Sequence, residues 1–151
     1  MKFSPRKSGR FHQGTIDPED CKKYLGKKPI IYRSSWELKF IQRIDGYEPN
    51  VYKWSSEPIE IPYISKEKIN GKWIEKKRHY SPDFLIILKS GKVLLIEIKP
   101  MNQVPLFENT INVDPVQMKN QCKWKAAIGF CKQKGWEFQI RTEENLNKPL
   151  I

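Results

Sequence analysis

Pro82-Asp83 and, further along, Glu97-Ile98-Lys99 are the residues of this sequence whose types and spacing could do chemistry. Side chains on a strand alternate faces, so Glu97 and Lys99 share one face while Ile96 and Ile98 take the other. A carboxylate and an ammonium on an otherwise apolar strand are costly to desolvate unless something compensates. Asp83 opens the preceding apolar run of Phe84 to Leu88. If a turn near residues 89–92 folds that run back onto Val93 to Ile98, Asp83 and Glu97 lie nearly equidistant from the turn. They then become neighbours at its open end. Two carboxylates so placed repel, and a divalent cation relieves the repulsion. Oxygen donors favour magnesium, with manganese as a substitute, over zinc. The adjacent ammonium could orient an attacking water and stabilise charge on phosphorus during phosphodiester hydrolysis. The plainer alternative is that Glu97 and Lys99 form an ordinary ion pair near a strand end.

The elements that must position these residues are legible in the pattern. Phe84 to Leu88 and Val93 to Ile98 are nearly continuous apolar runs joined through Ser90-Gly91, as expected of a hairpin covered on both faces. Upstream, Trp36, Phe40 and Ile44 recur every four residues, which predicts an amphipathic helix over 34–45. Ser34 or Ser35 can cap it, Ser34-Ser35-Trp36-Glu37 resembles a capping box, and Gly46 is its expected end. Val51-Tyr52-Lys53-Trp54 is β-prone, and Ile59, Ile61 and Tyr63 alternate with polar or proline positions. Asn70-Gly71 signals a tight hairpin turn. Residues 101–115 hold two prolines and no periodicity, as a long loop would. Val116 to Lys134 predicts a second helix, with Met118, Cys122, Ala126 and Phe130 as its apolar stripe, Ala127 and Cys131 close by, and Gly135 as its end. Trp136 to Ile140 alternates like a last strand. The order is helix, strands, helix, strand: an α/β fold with a mixed sheet.

The chain has 151 residues, the size of one domain. Lys and Arg number 28 against 17 Asp and Glu, and the net charge of +11 suits a polyanionic partner. A solvated basic surface would have the same composition. Residues 1–29 read as a basic arm, in which Arg6, Lys7 and Arg10 could lie on phosphates or belong to a disordered tail. Within it Asp17-Pro18 predicts a short helix through Tyr24. The 66–78 hairpin carries Lys66, Lys68, Lys72, Lys76, Lys77 and Arg78, either as a finger on nucleic acid or as a charged edge that resists aggregation. No apolar run spans a bilayer, and no apolar segment follows the basic N-terminus as in a secretory signal. Cys21, Cys122 and Cys131 fit neither a disulfide framework nor a zinc site, and imply unpaired thiols in a reducing compartment.

The motifs resemble those of the PD-(D/E)xK nuclease superfamily, most closely its TnsA-like branch of transposon endonucleases and related phage nucleases. Pro82-Asp83 and Glu97-Ile98-Lys99 carry the signature. Tyr32-Arg33-Ser34-Ser35-Trp36-Glu37, the strand Trp54-Ser55-Ser56-Glu57-Pro58-Ile59, Arg78-His79-Tyr80-Ser81-Pro82-Asp83-Phe84 and Asn120-Gln121-Cys122-Lys123-Trp124-Lys125-Ala126-Ala127 match the branch's other segments. The resemblance spans about residues 30–144. It implies a restriction-endonuclease-like core over 30–151, with a central mixed sheet flanked by helices. It implies a magnesium-dependent DNA endonuclease with Glu37, Asp83, Glu97 and Lys99 as catalytic residues. Asp83, Glu97, Glu37 and the Ile98 carbonyl would hold the metal, and Lys99 would position the water. Lys123 would contact a phosphate, alongside Arg78, Lys76 and Lys77 of the hairpin. Glu57 is a candidate support from a neighbouring strand, and His79 a candidate phosphate donor. The phage members imply a role on the DNA-filled capsid before tail joining, in the host cytoplasm during assembly or with the virion. Capsid, portal or neck proteins would then be partners, with no membrane and no small-molecule cofactor. A DNA-binding neck or capsid-vertex protein that need not cut, and a transposase-type endonuclease subunit, are the alternatives.

Overall fold

The computed structural model describes residues 3–8, 11–104 and 115–151, with side chains described from Gln13 onward. Strands β1 (Phe3–Ser8), β2 (Phe11–Ile16) and β3 (Ile30–Tyr32) form an antiparallel sheet in that order. Helix α1 (Ser35–Gln42) and strand β4 (Val51–Ser56) follow. Strands β5 (Ile61–Ile69) and β6 (Lys72–Tyr80) pair as a two-stranded hairpin. Strands β7 (Phe84–Leu88) and β8 (Val93–Ile98), helix α2 (Pro115–Lys134) and strand β9 (Glu137–Arg141) complete the chain. The central sheet has the order β4-β7-β8-β9. Its first three strands are antiparallel and β9 joins parallel to β8, so the fold is α/β with a mixed sheet, consistent with a restriction-endonuclease-like core.

The sheet has a core on each face. Phe84, Ile86, Leu94, Ile96 and Ile98 pack with Phe40, Ile41 and Ile44 of α1 and its extension. Leu95 faces the other way, toward Ile61, Tyr63, Tyr80 and the α2 residues Trp124, Ala127 and Cys131. Burial on both sides explains why β8 reads as a continuous apolar run. The hairpin turns are the expected ones. Asn70 and Gly71 both have positive φ, of 51° and 77°, as a two-residue turn of the primed type requires.

The basic segment 1–29 is tied to this core. Ile16 and Ile30 are fully buried, and β2 pairs with β3. Arg10 lies outside the described residues, as do the side chains of Arg6 and Lys7, although the latter two occupy β1. The expected helix through Tyr24 is instead one 3₁₀ turn, Pro18–Asp20, capped by Asp17. It stops because the next amides turn to a tertiary partner: Lys22 and Lys23 donate to the Asp45 carboxylate at 3.1 and 2.9 Å.

Asp45 also accepts from the Trp54 indole at 3.0 Å, and it explains a second departure. Helix α1 does not run on to a glycine stop at Gly46; it widens into a π-turn over Arg43–Tyr47. The wider turn points Arg43, Ile44 and Asp45 inward together. In α2 the expected Ala127 and Cys131 are buried together with Asn120, Gln121 and Trp124, while Cys122, Ala126 and Phe130 pack half-buried against the same core. Trp124 carries the most volume and turns the helix about itself. The loop after β8 starts with a 3₁₀ turn, Met101–Gln103, and residues 105–114 lie outside the described residues.

Two buried guanidiniums close the C-terminal end. Arg43 donates to the carbonyls of Leu146 and Lys148, and Arg141 to those of Asn145, Lys148 and Pro149. Leu150 is fully buried in the α1-side core.

Candidate active site

The β7–β8 register sets the site. Phe84 pairs with Ile96, so Asp83 and Glu97 come next at the open end. The Asp83 Oδ2 accepts from the Ile98 amide at 2.8 Å, and the Glu97 Oε2 accepts from the Asp83 amide at 3.3 Å. The Tyr80 hydroxyl, at the end of β6, donates to that same Glu97 oxygen at 2.8 Å. These bonds fix both carboxylates and leave Asp83 Oδ1 and Glu97 Oε1 without a hydrogen bond among the described residues. Lys99 Nζ stands 3.8 Å from Glu97 Oε1. Its amide donates to the Arg141 carbonyl at 2.9 Å, which carries the β8–β9 pairing past the end of β8 and holds the lysine.

Burial dominates the electrostatics. It raises the Asp83 carboxyl above the ordinary carboxylate range, against the opposing Ile98 amide and Lys99. Glu97 is raised by burial and then by Asp83, with Lys99 and Tyr80 working the other way. Burial raises the Tyr80 hydroxyl too, with the Glu97 charge next, so it stays a donor. The two acids are therefore held close together at a cost that added positive charge would remove.

Glu37 approaches from the other layer, since α1 packs on the opposite face of the sheet. The Ser34 Oγ accepts from its amide at 3.1 Å, while its carboxylate accepts from the Arg33 amide at 3.1 Å and the Ser34 hydroxyl at 3.2 Å. The Ser34 half of the expected capping box is present, while Glu37 reaches one residue further back, to the Arg33 amide. Burial and then the nearby Asp83 push its carboxyl up to about 7, so it belongs to the same electrostatic cluster. It does not close a cage: among the described residues no group of three or more His, Cys, Asp or Glu side chains is placed to hold a metal ion. A cation here would rest on Asp83, Glu97 and the Ile98 carbonyl, and water and substrate oxygens would fill its remaining positions. Magnesium, which dehydrates reluctantly, fits such a partial oxygen set.

Other side chains border the site. Lys123 of α2 lies with its Nζ 5.5 Å from the Tyr80 ring centroid. Burial and then Lys99 lower its pKa, while Glu97 raises it, so α2 brings a second lysine into the field of the acids. Glu57 adopts a positive φ of 45°, and its amide donates to the Asp83 carbonyl at 2.9 Å. Its carboxylate pairs with Arg33. Arg78 is held by Glu67 across the β5–β6 hairpin at 2.8 Å, and Lys76, Lys77 and His79 are exposed on β6. Sequence reasoning gave Tyr80 no role. The available signal was a tyrosine three residues before Asp83, ending a charged strand.

Residues 48–143 match the family described as TnsA-like endonuclease N terminal. Over 89% of this chain and 93% of the relative, the sequence is 34% identical to the Head completion nuclease of Enterobacteria phage T4. The family match contains Asp83, Glu97, Lys99 and Lys123 and begins beyond Glu37. With matched ends of one hairpin supplying an aspartate, a glutamate and a lysine, this chain belongs to the TnsA-like endonuclease family.

Proposed function

We propose that this protein is a magnesium-dependent DNA endonuclease that acts in completing a phage head, on DNA at the filled capsid before the tail joins. The observation that carries the reading is the pair of half-buried Asp83 and buried Glu97, fixed by backbone amides, with Lys99 3.8 Å from Glu97. Asp83, Glu97 and the Ile98 carbonyl would hold the cation, with Glu37 reaching it through water. The bound cation would supply charge for the phosphate oxygens and acidify a water. Lys99 would hold that water and offset charge developing at phosphorus. Lys123, on the same side of the sheet, would meet a neighbouring phosphate. The net charge of +11 and the exposed Lys76 and Lys77 favour DNA as the polyanion. Manganese would substitute for magnesium. The head-completion role follows the T4 relative, and with it capsid, portal or neck proteins as partners, in the host cytoplasm during assembly or with the virion.

The direct test incubates the purified protein with linear and circular DNA, with and without magnesium. Cleavage of both that stops on chelation is expected. Intact DNA at every salt concentration tried would overturn the reading. Complementation separates cutting from a purely structural neck role: Lys99→Ala should fail to yield infectious particles.

A further inference from the structure

A cleft of about 540 Å³ lies between the 24–29 loop and the end of β4, with Tyr24, Leu25, Lys27, Lys28, Ile31 and Glu57 among its walls. That volume falls within the range of small-molecule sites. We propose that this cleft holds an unpaired nucleotide of the DNA strand beside the phosphate being cut, so that forked or overhanging DNA is preferred to blunt duplex. The proposal rests on the nuclease reading above and goes past it, because that reading leaves the form of the DNA open.

Position is the first argument. Glu57 forms part of the cleft wall, and its amide binds the Asp83 carbonyl. Ser56, also in the wall, pairs with Phe84, the residue after Asp83. The cleft wall thus adjoins the backbone of Asp83, whose carboxylate lies within the field of Glu57.

Chemistry is the second. Leu25 and Ile31 are 42% and 43% exposed, an apolar surface suited to the face of a base. Lys27 and Lys28 are exposed and take part in none of the ion pairs among the described residues. The acidic wall residue, Glu57, is already paired with Arg33. Apolar surface with flanking lysines is the combination that stacks a base and tracks its phosphates. A paired base, enclosed within a duplex, cannot offer its face to such a cleft.

The shape is also formed in advance. The Leu25 amide donates to the Trp54 carbonyl at 2.7 Å, and the Trp54 amide to the Lys23 carbonyl at 3.0 Å, so the loop is laced to β4. Gly26, at φ 139°, lies so close to the Tyr24 ring that a Cβ would meet it at 3.1 Å. Ordering the loop on binding therefore costs little. The neighbouring cavity shares Lys27 and Pro29 but is lined by Asp17, Glu19 and Asp20, which repel phosphate. The acidic side bounds the site to a short unpaired stretch.

The test uses the full chain with calcium in place of magnesium, and measures fluorescence anisotropy of a labelled blunt duplex and of the same duplex with a 5′ or a 3′ overhang. The wild type should bind one overhang about tenfold more tightly than the blunt end. Lys27→Ala/Lys28→Ala and, separately, Ile31→Glu should lose that preference and keep blunt-duplex affinity. All three positions are exposed, and melting temperatures would confirm that the variants fold. Lys132→Ala/Lys134→Ala, on the last turn of α2, matches the charge change and should keep the preference. Equal binding of all DNAs by the wild type, retention of the preference in both cleft variants, or its loss in the α2 control would overturn the proposal. Cleavage of blunt duplex in magnesium is measured alongside. Cutting without overhang preference removes the cleft and leaves the nuclease; overhang preference without cutting does the reverse.

Discussion

Lys99 and Glu97 share a strand face yet should fail differently when replaced. On the proposed reading Glu97→Ala would remove a cation ligand, so calorimetric titration with magnesium should show the affinity collapse together with cleavage. Lys99→Ala would remove an ammonium that repels the proposed cation. It should bind magnesium at least as tightly as the wild type, yet cut DNA about 10²–10³-fold more slowly. Loss of magnesium binding in Lys99→Ala would mean that the lysine holds the carboxylates in place and has no part in the chemistry. Glu37 offers a pH signature. Its folded pKa of about 7 lies above the ordinary 4.5, so its protonated form is the one that the fold favours. Its contribution is therefore fully present below about pH 4.5, declines as pH rises and levels off above about pH 7. Glu37→Gln keeps the cap and cannot ionise. In metal-free buffer the wild type should lose stability relative to this variant across that window, as read by chemical denaturation at each pH. Asp83, Glu97 and Lys99 were legible as a cluster because strand alternation and a short turn fix their places. Tyr80 was not, because its contact depends on how the β5–β6 hairpin meets the sheet, and no local periodicity records that.

At the scale of elements, the β5–β6 hairpin is the exposed, charged member of the fold. Only Tyr80 of β6 is buried. Within it Arg78 is held by Glu67, whereas Lys76 and Lys77 enter no ion pair among the described residues. If the hairpin lies on DNA, Lys76→Ala/Lys77→Ala should weaken binding at all sequences and flatten the plot of log affinity against log salt by about two phosphate contacts. An unchanged slope would return the hairpin to the role of a solvated edge. Both hairpins and their turns could be read from the sequence, since alternation and Asn-Gly or Ser-Gly turns are local signals. Helix faces were harder. The centre of the α2 stripe was displaced because Trp124, amid a run of lysines, is the residue that docks against the sheet. The end of α1 was missed because Asp45 is drawn inward by partners at residues 22, 23 and 54, distant in sequence.

Across the whole molecule, the α/β plan with a mixed sheet was legible from the order of elements and its restriction-endonuclease-like core from the motif resemblance, while the joining of the first thirty residues to the core was not. Their composition reads as an arm, but Ile16, Ile30 and Tyr32 supply apolar surface that the α1 layer needs. The same holds at the other end, where Leu150 fills space in that core. Leu150→Ala should destabilise the protein by about 2–5 kcal/mol, measured by urea unfolding, for the loss of contacts and the cavity left behind. It should leave magnesium affinity intact, because the plug lies away from the hairpin end that carries the acids.

The clasp of Arg43 and Arg141 on the carbonyls of residues 145–149 also constrains the timing of folding. Arg43 meets Lys148 across 105 positions of sequence and Asn50 meets Leu150 across 100. Contacts that far apart slow the search for the native state. A nascent chain on the ribosome has its hairpin acids long before it has the carbonyls that these guanidiniums need. Until those last residues emerge, Arg43 has only Glu48 and Arg141 only Gln139 among these partners, and the core lacks Leu150. The finished cutting site should thus appear late and abruptly, after synthesis has passed residue 150.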